Sequence, residues 1–181
     1  TDGTRAILDA YAQKLPLRTL VVPHTGNWVQ NTNLGLREAR GRFASLLHQD
    51  DLWLPRRLAR LHALIEDFPE VGLFASSAIY LDASGRPVGR WTPPLPSTPQ
   101  PLPSPVVLRR LLVQNPFALP APLFRRDLAL ESGGLDESLW FLADWKLWTA
   151  IAARTSVMVD PTPLVGYRLH PHAQTVVRSQ G

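Results

Sequence analysis

The chain has no cysteine, and Lys14 and Lys146 are its only lysines. Without thiols, disulfide scaffolding, thiolate nucleophiles and cysteine-ligated zinc are excluded, and the redox compartment is left undetermined. No apolar run approaches the ~20 residues that a membrane-crossing helix needs. The opening Thr1-Asp2-Gly3-Thr4 carries neither an initiator methionine nor a signal-peptide pattern, so a soluble segment, truncated at its start, is expected. Walker loops, G-x-G-x-x-G patterns and hydrolase-type Ser-His-Asp order are also missing, which removes P-loop, dinucleotide and acyl-transfer chemistry. There is no internal repeat of solenoid period either.

What is present is ordinary globular sequence: 181 residues, 45% hydrophobic and 19% charged, with a formal charge of +4. That length supports one domain with a substantial core. The basic charge is almost all arginine, whose planar fork suits a diphosphate, an anionic lipid surface or nucleic acid. The arginines are scattered as pairs (Arg56 and Arg57, Arg109 and Arg110, Arg125 and Arg126) and no RNA-binding aromatic motif or zinc finger occurs. Nucleic acid therefore ranks last among these partners.

Apolar spacing predicts a short amphipathic helix over 5–13, then a buried strand over 17–22 closed by Pro23. A second helix is expected over 33–40, ended by Gly41, and a second strand over 42–48 that runs into Gln49-Asp50-Asp51. Pro55 suits the first turn of a helix reaching Asp67. In that helix Leu58, Leu61, Leu64 and Ile65 are expected to face the core, with Arg56, Arg57 and Arg60 in water. A third strand follows over 71–77, and Asp82-Ala83-Ser84-Gly85 has the chemistry of a hairpin turn between 79–81 and 88–91. Ten of the 18 prolines lie between Pro93 and Pro122, so that stretch reads as a crossing loop broken by a helix over 106–114. Leu123-Phe124 ends a strand, helices are expected over 126–132 and 144–154, and strands over 156–159 and 165–169 finish the sheet. This alternation predicts an α/β layered domain with a mostly parallel sheet, whose ligands bind beyond the carboxyl ends of its strands.

Asp50 and Asp51 follow a buried strand at that ligand-binding end. Two adjacent carboxylates call for water or a cation, and oxygen ligands suit hard cations such as Mg2+ or Mn2+, with substrate phosphates completing the shell. The same pair also reads as a turn ahead of the next helix. A second acidic loop, Gly133-Gly134-Leu135-Asp136-Glu137-Ser138, precedes Asp144, which is either a general base or simply a helix cap. Trp145 and Trp148 have core spacing, whereas Trp28 and Trp140 lie outside the expected elements, where a sugar could stack. His170 and Arg168 follow the last strand, within reach of a metal and a phosphate respectively.

Taken in order, these pieces resemble family 2 glycosyltransferases. The likeness rests on Asn33-Leu34-Gly35 with Ala39-Arg40-Gly41, and on His48-Gln49-Asp50-Asp51-Leu52-Trp53-Leu54-Pro55. It continues through Gly133-Gly134-Leu135-Asp136-Glu137-Ser138, Ala143-Asp144-Trp145-Lys146-Leu147-Trp148 and Tyr167-Arg168-Leu169-His170. The resemblance implies a GT-A-like three-layer domain over 1–181 that lacks the family's first strand and its nucleotide-base-binding segment. It implies that Asp50, with Asn33, lies on the donor side. It further implies that Asp51 holds a divalent metal with His170 as an additional ligand, and that Asp144 is the base that activates an acceptor hydroxyl. The expected partners are a nucleotide-diphosphate sugar and a glycan or lipid-linked acceptor, with cytoplasmic placement at or near the inner face of a membrane. The runner-up expectation is a non-catalytic module that keeps the fold for binding or assembly.

Overall fold

The computed structural model describes residues 3–23 and 27–169. Six helices and six strands alternate: α1 (Thr4–Ala12), α2 (Trp28–Glu38), β1 (Phe43–Ser45), β2 (Leu52–Trp53), α3 (Arg57–Asp67), β3 (Leu73–Leu81), β4 (Pro87–Trp91), α4 (Ser104–Leu111), β5 (Leu123–Arg125), α5 (Arg126–Glu131), α6 (Ala143–Ala152) and β6 (Val157–Arg168). The strands form one sheet in the order β1-β5-β3-β6-β2, with β4 paired to β3 off that path.

The α/β layered architecture agrees with the sequence, but the strand directions do not. The sheet is mixed: β3 and β6 run parallel, whereas the β1·β5, β2·β6, β3·β4 and β3·β5 ladders are antiparallel. The hairpin at Asp82 and short return strands such as β5 account for the difference. The two expected closing strands are one, β6, which bends where Ser76 opposite Asp160 gives way to Ser77 opposite Pro163. Pro161 and Thr162 are thereby left without strand partners, which is where a sheet tolerates proline.

Alternate residues of β3 and β6 point to opposite faces, as strand geometry requires. Leu73, Ala75 and Val157 join the larger core with Val29 and Leu36 of α2, Val107 and Leu111 of α4, Ala129 of α5, and Leu147, Trp148 and Ile151 of α6. Phe74 and Met158 face the other way, onto Leu61 and Leu64 of α3. Helices on both faces of the sheet make the three layers.

Three expectations about burial are corrected. Residues 17–22 form no regular element, are exposed, Val21 at 77%, and join no ladder among the described residues, so the anticipated buried strand is absent. Leu58 is 69% exposed, because the buried stripe of α3 runs through Arg57, Leu61 and Leu64, at i, i+4 and i+7, and Leu58 lies one residue off it. Arg57, expected in water, is 1% exposed. Its guanidinium donates to the Ala121 carbonyl (3.1 Å) and to Ser45 Oγ (2.7 Å) and lies 5.2 Å from the Trp53 ring centre. Burial pushes its pKa down to about 10.

Candidate functional site

The acidic loop leaves β1 and closes through a turn in which the Asp51 N–H donates to the His48 carbonyl at 3.2 Å. The chain then enters β2, whose pairing with β6 holds the loop against the end of the long central strand. Asp51 is buried, and its Oδ1 accepts the Arg168 backbone N–H at 3.0 Å. The Arg168 guanidinium donates to the Asp50 carbonyl at 2.8 Å and to the Asp82 carbonyl at 3.0 Å. Arg168, read from sequence as a phosphate contact, thus clamps the acidic loop between β6 and the β3–β4 turn. That turn is built by Asp82, whose Oδ1 accepts from Ser84 N, Ser84 Oγ and Arg86 N. Those donors hold its carboxyl well below the usual range.

Asp51 and Asp50 offer oxygen donors at a strand end, which suits Mg2+ or Mn2+ with water and a diphosphate completing the shell. Among the described residues no three His, Asp or Glu side chains cluster as a complete metal cage. His170 lies outside the described residues. His48, two positions before Asp50, is lowered in pKa by burial, against the opposing pull of the Asp50 charge, so its imidazole is mainly neutral at pH 7.

The other candidate residue, Asp144, is carried by α6. Asp144 stands in its first turn, where the helix dipole and free N–H groups favour a carboxylate. The carboxyl is nonetheless mostly buried, and burial raises its pKa against the backbone N–H groups and the Asn115 amide that stabilise its charge. Asn115 Nδ2 donates to Asp144 Oδ2 at 2.9 Å. Nothing in the local sequence pointed to Asn115, which lies on the loop after α4 and 29 residues away. Trp148 is fully buried and Trp145 packs against the same core, its Nε1 donating to the Leu111 carbonyl at 2.7 Å; both are core residues, as their spacing indicated.

Trp28 meets the chain ahead of each of these regions. It opens α2 behind the Asn27 cap, its ring meets His48 edge-on at 5.2 Å, and its Nε1 donates to the Trp140 carbonyl at 3.0 Å. Trp28 therefore touches both the segment ahead of the acidic loop and the approach to α6. Asn33, expected on the donor side, is otherwise engaged. Its Oδ1 accepts the Leu135 N–H at 2.8 Å, and its Nδ2 donates to the Leu135 carbonyl (2.8 Å) and to Glu137 Oε1 (3.1 Å). The amide is a clasp on the 133–137 loop. Gly134, at φ 74°, comes so close to this clasp that a Cβ there would meet Asn33 Oδ1 at 2.7 Å.

The α/β domain, with its mixed sheet, helices on both faces and acidic loop at a strand's carboxyl end, matches GT-A glycosyltransferase structures. The glycosyl transferase family 2 model matches residues 1–128, and the chain belongs to that family. The match includes Asp50 and Asp51 and ends before Asp144. No curated protein matches the chain. Among solved structures, S. aureus TarS 1-349 is similar at TM-score 0.70 and 19% identity, over 93% of this chain and 48% of that one. The same protein in complex with UDP-GlcNAc gives TM-score 0.70 and 20% identity, over 94% and 47%. The mannosyltransferase PcManGT from Pyrobaculum calidifontis, in complex with GDP-Man and Mn2+, gives TM-score 0.61 and 20% identity, over 98% and 48%. The chain spans about half the length of these structures, and at such identities the likeness concerns the fold.

Proposed function

We propose that the protein is an inverting, metal-dependent glycosyltransferase that moves a sugar from a nucleotide-diphosphate sugar to an acceptor hydroxyl in glycan, polysaccharide or glycolipid synthesis. The observation that carries this reading is the family 2 match across the Asp50-Asp51 loop, joined by Asp144, a partly buried carboxyl held by Asn115 in the first turn of α6. The loop leading into α6 meets Trp28 at the Trp140 carbonyl, and Trp28 meets His48, just ahead of Asp50, edge-on. A general base works best when its pKa approaches the operating pH, and burial is a means to that end. The donor complexes of the similar structures, UDP-GlcNAc in one and GDP-Man with Mn2+ in another, support a nucleotide-sugar donor.

In this reading Asp51 and Asp50 face the donor, Asp51 kept in place by the Arg168 backbone N–H. A bound Mg2+ or Mn2+ would offset the charge on the departing diphosphate. Asp144 takes the proton of the acceptor hydroxyl as its oxygen attacks the anomeric carbon opposite the leaving group, which inverts that carbon in one displacement. His170 serves as a further metal ligand. The enzyme is placed in the cytoplasm, at the inner face of a membrane where its acceptor is lipid-linked.

A non-catalytic binding or assembly module is the second reading, favoured by the engagement of Arg168, read from sequence as a phosphate contact, with the Asp50 and Asp82 carbonyls. Release of nucleoside diphosphate from a panel of UDP- and GDP-sugars separates the two. Asp144→Asn is expected to slow release by about a hundredfold or more with little change in donor KM. A rate equal to the unsubstituted protein's would remove Asp144 from the chemistry, and no release from any donor would favour the binding module.

A further inference from the structure

We propose that Asn115 is a positioning residue for Asp144, holding one carboxyl oxygen so that the other is presented to the acceptor hydroxyl. The inference rests on the reading of Asp144 as the base.

The amide of Asn115 has one orientation that satisfies its surroundings. Oδ1 faces the Phe117 N–H, from which it accepts at 3.2 Å, and Nδ2 faces Asp144 Oδ2 at 2.9 Å. Flipping the amide would set donor against donor and acceptor against carboxylate. The loop carrying Asn115 is itself fixed: the Pro116 carbonyl accepts from Trp91 Nε1 at 2.8 Å, the Leu111 carbonyl accepts from Trp145 Nε1 at 2.7 Å, and Phe117 is buried in the larger core. Asn115 therefore connects the start of α6 to the end of α4 with little freedom to move.

The surroundings of Asp144 make that one contact consequential. Among the described residues Asp144 forms no ion pair. On its own helix Lys146 is turned to Asp136 at 2.6 Å, and on α4 Arg109 and Arg110 make no salt bridge to it. The hydrogen bond closed on the carboxyl comes from a neutral donor, the Asn115 amide, with the backbone N–H groups at the start of α6 also favouring its charge. A carboxylate orientated by a neutral donor keeps more of its basicity than one paired with a lysine or arginine. A donor fixed to one oxygen also limits rotation of the carboxyl, which a base needs when it must meet a hydroxyl along one direction.

Two variants separate this role from a purely structural one. Asn115→Asp keeps the acceptor for the Phe117 N–H but replaces the donor with a second carboxyl facing Asp144. Asn115→Ala removes both contacts. In the intact protein, the Asp144 carboxyl is titrated by carbon-13 NMR, its signal assigned by its loss in Asp144→Asn. Asn115→Asp is expected to raise its pKa by about one unit or more and Asn115→Ala by less. The acid limb of the pH profile for nucleoside diphosphate release would move in parallel. At neutral pH kcat would fall about tenfold for Asn115→Asp with donor KM within about twofold of its starting value. If Asn115→Asp, shown by its melting curve to be folded, leaves both the titration and the acid limb in place, the proposal is overturned while the base assignment stands. If Asp144→Asn turns over at the unsubstituted rate, the base assignment falls and the proposal with it.

Discussion

At the scale of single residues, Asp144 brings stability and chemistry into opposition. Its folded-state pKa lies above the ordinary carboxylate value because burial disfavours the charge. Between those two values the folded protein binds a proton that the unfolded chain has released, so stability is fully present below the ordinary pKa and declines as pH rises through the raised one. Asp144→Asn removes this titration and keeps an acceptor for the Asn115 amide. The variant is therefore expected to melt at a higher temperature than the unsubstituted protein at pH 7, with the difference shrinking as the pH falls toward 4. Thermal unfolding at both pH values checks this, and a variant that melts lower at pH 7 would contradict it. Asp144 could be picked out in the sequence because a helix-starting acid after a glycine pair is a local pattern. Its partner Asn115 could not, since a contact across 29 residues leaves no trace in local spacing. Arg57 was misjudged for the same reason: helical spacing gives it a face, but the carbonyl of Ala121 and the hydroxyl of Ser45, which make that face a buried one, come from other elements.

At the scale of elements, the loop between α5 and α6 is held by two side chains of α2, Trp28 at the Trp140 carbonyl and Asn33 at Leu135. α5 ends at consecutive left-handed glycines, Gly133 and Gly134, whose N–H groups return to the carbonyls of Leu130 and Ala129. The chain beyond them is then secured by Asn33, which supplies partners to both the N–H and the carbonyl of buried Leu135. Removing them leaves two buried polar groups unsatisfied, so Asn33→Ala is expected to cost about 2–4 kcal/mol. Urea unfolding measures that cost, and titration of nucleotide onto the folded fraction gives the complementary result. Lost stability with retained nucleotide affinity identifies a clasp, whereas unchanged stability with lost affinity would support the donor role expected from sequence. The β3–β4 hairpin was legible because Asp82, Ser84 and Gly85 make their turn among themselves. The single strand β6 was not, because Pro161 and Pro163 break the local strand pattern, and only pairing along β3 shows that the strand continues past its bulge.

At the scale of the whole molecule, the order of elements around the acidic loop carried the fold. A strand entering Asp50-Asp51, a helix after Pro55 and a proline-rich crossing loop are consecutive and local, and they led to the GT-A architecture that the structure shows. Strand direction was less legible, since an apolar run specifies burial and not the direction of its neighbour. Residues 17–22 show the limit of such runs: the sequence has strand character, yet the segment is exposed and joins no ladder among the described residues. The site is likewise assembled from distant parts, with Arg168 reaching Asp50 across 118 residues and Trp28 reaching Trp140 across 112.

The central claim is that Asp50 and Asp51 form a metal-dependent nucleotide site, and calorimetric titration of UDP and GDP, with and without Mn2+, tests it most directly. One of the two nucleotides is expected to bind only when Mn2+ is present, and Asp51→Ala is expected to abolish that binding while the protein stays folded. Binding that ignores Mn2+ or survives Asp51→Ala, or no binding of either nucleotide to a folded sample, would contradict the account.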